Sequence, residues 1–227
     1  MRENPIAVGS VRLVLLICIP AALLLSNLYL LATPVFIRYE YSKPQFPPSD
    51  IYNPAERLSL AEASLYYLRS DEGVEYLRNL RSNKLPVYNA REIRHMVDVK
   101  MVMRGACWVH GICSMLCILA LAFSWRSARL RTQALRAVYQ ACLALVVGLV
   151  AIGTLAYTSF DLFFTAFHRV FFAGDSWLFA FTDTLIQLFP VQFWMDATWA
   201  LSLLTVGECI IVGVAAYALQ CRQREVP

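Results

Sequence analysis

Charge is what this chain has least of. Of 227 residues only 16% are Asp, Glu, Lys or Arg, and 59% are hydrophobic. Soluble domains carry about 25% charged residues, so the composition excludes a water-soluble globular domain. The net charge of +4 is too small an excess to suggest nucleic acid as a partner. Histidine is scarcer still, with His95, His110 and His168 alone. No G-x-S-x-G elbow, H-E-x-x-H pair or glycine-rich phosphate loop occurs. The serine-hydrolase, zincin and nucleotide-dependent readings that rest on those motifs therefore lose their basis. The polar loops hold no cysteine, since Cys18, Cys107, Cys113, Cys117, Cys142, Cys209 and Cys221 all lie in or beside apolar stretches. A disulfide framework would sit in the extracytoplasmic loops, so these read as small buried residues. Cys113 and Cys117, four apart on an apolar helix, are a weak metal signal.

Four apolar stretches are present, at residues 11–32, 101–123, 137–157 and 197–219. Each approaches the roughly 20 residues that cross a bilayer. Pro20 inside the first predicts a mild kink, which membrane helices tolerate. That first stretch is longer than a signal-peptide core and lacks a small-x-small cleavage site, so it reads as an uncleaved helix. Arg126, Arg129, Arg131 and Arg136 crowd the link 124–136, Arg222 and Arg224 the tail 220–227, and Arg2 and Arg12 the amino end. Segment 158–196 has only Arg169 against Asp161, Asp175, Asp183 and Asp196. The positive-inside rule then predicts cytoplasmic termini. Segments 33–100 and 158–196 would face outward. The fold class is an all-α membrane protein: four transmembrane helices, a helical extracytoplasmic loop region and an aromatic interfacial segment.

Within 33–100, KPQFPPSDIYNP predicts an extended Pro-rich strap. Ser59 with Glu62 fits a capping box for one helix, DEGVEYLRNLRS a second short helix, and Asn89 with Glu92 caps a third that runs on into the second span. Segment 158–196 is packed with Phe and Trp, as headgroup-level segments are. Its pattern predicts a helix over 159–172, a turn at Gly174–Asp175–Ser176, and a short helix from Thr182 that stops before Pro190.

The stretch REIRHMVDVK carries Arg91, Glu92, Arg94, His95, Asp98 and Lys100 in ten residues, more than an anchor needs. On a helix, Arg91, Arg94, His95 and Asp98 share a face. Asp98, three residues after His95, is placed to fix the imidazole tautomer and raise its basicity. Arg91 and Lys100 read as cations reaching toward headgroups. His168 lies on the same predicted side, with Asp161 two turns earlier on its face. Two histidines at matched depth read as one site. Zinc needs three protein ligands, for example His95, His168 and an aspartate, which the spacing does not support. Inside the spans, Glu208 reads as a hydrogen-bonded structural group, and His110 as too deep to join His95.

EIRHMVDVK before a span, followed by FHRVFF, DSWLF and DTLIQLFP on the same side, resembles the bacterial lipoprotein intramolecular transacylase family over essentially the whole chain. The resemblance implies an acyltransferase of the bacterial cell membrane with its site facing outward. It implies a diacylglyceryl-cysteine lipoprotein as partner and substrate, alongside membrane lipids, and no cofactor. The sn-2 acyl chain moves from glycerol to the α-amino group of the same cysteine, giving a lyso-form lipoprotein. The family's catalytic histidines match His95 and His168. Asp98, Arg94, Arg169, Asp175, Asp183 and Trp177 fall in or beside the matched motifs as supporting residues. Ester-to-amide transfer is downhill, so neither a nucleotide nor a Ser or Cys nucleophile is required. His95 is then the expected base, oriented by Asp98, with His168 polarising the ester; the roles are interchangeable at this level. Arg94, Arg169, Trp177 or a protonated histidine would supply the oxyanion donor. One departure stands out: Val191 and Gln192 follow LFP where the family has an acidic residue, so this chain does without that carboxylate or uses Asp196. Two other readings remain open. One is a non-enzymatic accessory protein that binds lipid or protein; the other is a metal-dependent membrane hydrolase. A transporter fits least, because the charged residues cluster at one interface.

Overall fold

In a computed structural model, residues 5–225 are described. Arg2, the last two residues of the tail and the side chain of Arg224 lie outside the described residues. Helix α1 spans Pro5–Leu31, α2 Pro34–Ser42, α3 Pro54–Arg69 and α4 Glu75–Asn79. Strands β1 (Arg81–Ser82) and β2 (Leu85–Pro86) pair antiparallel. Helices α5 (Ala90–Ser124), α6 (Ala128–Thr158), α7 (Phe160–Phe171), α8 (Thr184–Leu188) and α9 (Val191–Glu225) complete the chain. Helices α1, α5, α6 and α9 are long and apolar enough to cross a membrane. The protein is thus a mostly helical, multi-pass membrane protein. The chain divides into two compact units. One comprises residues up to Leu28, Ala106–Gly153 and those from Leu201 onward; the other comprises Tyr29–Gly105 and Thr154–Ala200.

The first unit is built from parts of the four long helices. Its centre holds Leu15, Cys18, Ala134, Ala137, Ala141, Cys142 and Cys209. Small side chains let helix backbones approach closely where lipid supplies no hydrophobic drive. The opposite faces leave Trp108, Ile118, Val147, Leu203 and Ile211 exposed, as lipid-facing positions require. Helix α1 runs through Pro20 without a break. Several polar groups within this unit are partnered. Asn27 Nδ2 donates to Glu208 Oε2 at 2.8 Å and to Thr205 Oγ1 at 3.2 Å. Ser26 Oγ donates to Ala22 O at 2.8 Å, so at 2.9 Å from His110 Nε2 it is the acceptor.

The second unit carries the polar sequence. Helix α3 starts at Pro54, not at the expected Ser59–Glu62 box. Pro54 stands in the first turn, where its missing N–H is not needed, and Asn53 Oδ1 accepts the Glu56 N–H at 3.0 Å. Helix α2 also starts at a proline, Pro34, inside what reads from the sequence as loop. The β-turn was likewise not expected. Asn83 and Lys84 both adopt positive φ, 49° and 69°, as a two-residue hairpin turn needs, but without the glycine that usually signals one. The strap after α2 is tied down by Arg57, which donates through Nε to Gln187 O at 2.6 Å and through Nη1 to Pro47 O. Lys43 joins buried Glu40 to Asp196, 2.8 Å from each. Packed side chains of Tyr52, Leu60, Tyr67, Leu77, Tyr88, Met96, Leu185 and Leu188 form the core of this unit.

Candidate active site

Helix α5 begins with the expected capping box. Asn89 Oδ1 accepts the Arg91 and Glu92 N–H groups at 2.9 and 3.1 Å, and Glu92 Oε2 accepts the Asn89 N–H at 2.8 Å. One turn later α5 presents His95. Helix α7 and the turn after it match the expected 159–172 helix and 174–176 turn within a residue or two, and Gly174 supplies the positive φ, 66°. Helix α7 presents His168. Both imidazoles are buried, each 8% exposed. Their ring centroids are 6.1 Å apart and nearly parallel, with 22° between planes. The two histidines, 73 positions apart in the chain, are close enough for one ester group to touch both rings.

The cage around them is aromatic. Phe172 and Phe179 lie 4.9 and 5.3 Å from His95, ring centre to ring centre. Phe164, Trp177 and Phe172 lie 4.0, 4.8 and 5.5 Å from His168. Neither expected carboxylate reaches its histidine. His95 turns toward the rings of 172–179, and its buried Nδ1 has no hydrogen-bond partner, so Asp98 does not orient it. Asp161 is exposed, and His168 Nδ1 meets Phe164 O instead, at 2.7 Å.

That bond fixes chemistry. A carbonyl oxygen only accepts, so His168 Nδ1 carries the proton, and the Nε2 of the neutral ring keeps its lone pair. His95 is the complement. A buried N–H left unpaired costs more than a bare lone pair, which favours the proton on Nε2. His95 precedes the apolar stretch 101–123 and His168 lies in segment 158–196, and burial disfavours their charged forms. His95 is pushed down to about 4, by desolvation first and by His168 second. His168 is lowered by desolvation, with the Phe164 carbonyl opposing. Both imidazoles are therefore neutral at neutral pH.

The remaining expected residues spread around this centre. Trp177 packs on His168, but its Nε1 donates to Gly174 O at 3.1 Å, so it is not an available oxyanion donor. Arg94 and Arg169, each adjacent in sequence to one histidine, are exposed, and no side-chain hydrogen bond of theirs is found among the described residues. Asp175 is exposed and contributes its main-chain oxygen to the turn, accepting the Leu178 N–H at 3.1 Å. Asp183 accepts from Asn89 Nδ2 at 2.9 Å and from the Ala180 N–H at 2.7 Å. Asp196 is held by Lys43 and Gln192 at 2.8 and 2.7 Å; it forms no bond with either histidine. Lys100 does not reach outward as expected. It is buried, donating to Glu72 O at 2.6 Å over the Tyr67 ring. Arg91 donates to Leu178 O at 2.8 Å.

Glu92 has a larger part than capping alone suggests. It is 1% exposed, and its second oxygen accepts the Leu185 N–H at 2.7 Å. One carboxylate thus holds the starts of α5 and α8 together. The sequence signal was there, an acid in the first turn of a helix, but its second partner lies 93 residues away. Among the described residues no group of three or more His, Cys, Asp or Glu side chains is placed to hold a metal ion.

Comparison with known proteins agrees with this architecture. Residues 12–194 match the family described as lipoprotein intramolecular transacylase Lit. An uncharacterised protein of Aquifex aeolicus (strain VF5) is 28% identical over 213 residues, covering 89% of this chain and 91% of that one. The structure of the membrane-integral lipoprotein intramolecular transacylase Lit from Bacillus cereus superimposes with a TM-score of 0.67 at 16% identity, over 99% of this chain and all of that one. A variant of the Bacillus cereus protein in which a histidine is replaced by alanine gives 0.66 at 17% identity, over 96% and 95% of the two chains.

Proposed function

The chain belongs to the lipoprotein intramolecular transacylase family of membrane-integral acyltransferases, and from that premise we propose that His95 and His168 are its reacting pair. The substrate is a lipoprotein whose N-terminal cysteine bears a diacylglyceryl thioether. The observation that carries this reading is the meeting of the two imidazoles, 6.1 Å apart, in a cage of phenylalanines suited to acyl chains.

The tautomers divide the roles, and they reverse the first expectation. The α-amino nitrogen attacks the sn-2 ester carbonyl, forming the N–C bond. As it does so, its proton passes to the free Nε2 of His168. The oxygen of the tetrahedral adduct gains negative charge and accepts from the Nε2–H of His95, a neutral donor. The carbon–oxygen bond to glycerol then breaks, and His168 returns the proton to the departing alkoxide. Ester and amine become amide and alcohol with no proton gained or lost. A neutral His168 is the form a base must start from, which burial favours.

The basic link and tail, against an acid-rich segment 158–196, support cytoplasmic termini and an outward-facing site in the bacterial cell membrane. The test is expression in a bacterium that lacks lipoprotein N-acylation, with mass spectrometry of lipoprotein N-termini. The expected product carries one acyl group on nitrogen and one on glycerol. Full transfer by both the His95→Ala and His168→Ala proteins would overturn the assignment.

A further inference from the structure

The histidine pair is covered. Each ring is 8% exposed, yet the reaction requires that an amine and an ester touch both. Two rings of the segment after Gly174 occupy the faces where a substrate must lie: Trp177, 4.8 Å from His168, and Phe179, 5.3 Å from His95. This segment has no regular secondary structure between α7 and α8. Its internal bonds are local, Leu178 N–H to Asp175 O at 3.1 Å and Trp177 Nε1 to Gly174 O at 3.1 Å. It can therefore move as a piece without tearing a helix or a sheet.

What holds it down comes from one turn of α5 and from α8, where Gln187 Nε2 donates to Phe181 O at 2.9 Å. Arg91 donates to Leu178 O at 2.8 Å and Asn89 Nδ2 to Asp183 Oδ1 at 2.9 Å. Both contacts are exposed to solvent, where a hydrogen bond is readily exchanged for water. Glu92 differs. Its bond to the Leu185 N–H is buried, and Leu185 and Leu188 beside it belong to the packed core of this unit. The end of the segment next to α8 is thus anchored by Glu92 and Gln187, the middle is held by two exposed hydrogen bonds and by the packing of Trp177 and Phe179, and the other end turns at Gly174, whose φ is positive.

We infer that residues 174–183 are a lid on the histidine pair, latched by Arg91 and Asn89, anchored at Glu92, and turning at Gly174 to admit a diacylglyceryl lipid. The inference rests on the reading of His95 and His168 as the reacting pair, but its test needs no substrate. Arg91 and Asn89 act through the lid and touch no reacting atom, so they are positioning residues.

Diethyl pyrocarbonate labels neutral imidazoles, and peptide mass spectrometry resolves the three histidines of the chain. In the full-length protein in lipid nanodiscs, His95 and His168 are expected to label far more slowly than N-acetylhistidine. Arg91→Ala removes an exposed contact and should raise both rates about five-fold, while His110, in the other unit, stays unchanged as an internal reference. Wild-type rates equal to that of N-acetylhistidine would overturn the lid, and so would rates unmoved in Arg91→Ala. Should Arg91→Ala not insert, Gly174→Ala, which strains the closed turn, is judged by the same standard. Failure of acyl transfer to depend on the histidines would leave these rates as they are, so the two readings fail separately.

Discussion

The chain holds imidazole in both of its units, half-buried in one and buried in the other, under opposite conditions. His110 shares a hydrogen bond with Ser26, whose own proton is committed to Ala22 O. Its Nε2 therefore donates and offers no lone pair. Close by in sequence, Asn27 satisfies Glu208 and Thr205. His95 and His168 sit in a cage of rings, with one nitrogen buried and unpartnered and another held by a main-chain carbonyl. Ionisable residues inside a membrane protein read as functional by default. Here the polar groups in the spans are the ones whose bonds are made, as structural groups require. The pair outside the spans keeps unfilled hydrogen-bonding capacity, and that is where chemistry is available.

The sharpest way to break this contrast is alanine replacement of each histidine. His95→Ala and His168→Ala should each lower the transfer rate by roughly 10²–10⁴-fold, measured as N-acylated lipoprotein formed per unit of inserted protein. His110→Ala should stay within about three-fold of wild type, as expected where a satisfied group has no part in proton transfer. Equal losses in all three would erase the distinction.

Next in size is Glu92. Glu92→Ala leaves the Asn89 and Leu185 N–H groups without their acceptor, a cost of roughly 1–3 kcal/mol, mostly from the buried Leu185 donor. Thermal unfolding in nanodiscs should report a clear drop in Tm, and a Tm within a degree of wild type would show that the α5–α8 contact is dispensable.

The protonation of the cage gives a smaller effect with a definite sign. An unfolded histidine binds its proton near 6.5, whereas folded His95 does so only at about 4. Between those values the unfolded chain holds more protons, so stability falls as pH drops from 6.5 toward 4. His168 is lowered by burial too, so it adds to the same fall in stability. NMR titration of the His95 Cε1–H signal checks the same point directly, and a midpoint above 6.5 would contradict burial as the cause.

The smallest change is expected at the satisfied cluster. Glu208→Gln keeps an oxygen for Asn27 Nδ2, so it should alter stability by less than about 1 kcal/mol and leave transfer intact. A large loss of transfer with normal insertion would move Glu208 from structure to mechanism.

Much of this was legible before any coordinates. The four spans followed from apolar run length, and the Asn89–Glu92 box from its spacing. The aromatic segment announced its helix, turn and helix through Gly174 and Pro190. The pairing of His95 with His168 was expected from their rarity and shared side. The partners of each ring were not. Neighbours on a helix surface suggested Asp98 and Asp161, but the rings turned inward, where a backbone carbonyl and phenyl faces stand. Lys100 read as a headgroup contact because lysines usually are, and only the fold brings Glu72 O and Tyr67 within its reach. The hairpin at Asn83–Lys84 escaped because lysine rarely signals positive φ. Glu92 was found for its local bond and missed for its distant one, which depends on tertiary placement.

The phenylalanine walls have one more consequence, for the fate of the bond being broken. An activated acyl ester can yield to water as well as to an amine, and free water is by far the more abundant nucleophile. If the two imidazoles are the reacting pair proposed above, the rings packed against them favour the amine tethered to the same cysteine over water. On that reading, the aromatic walls make the difference between passing a fatty acid on and losing it.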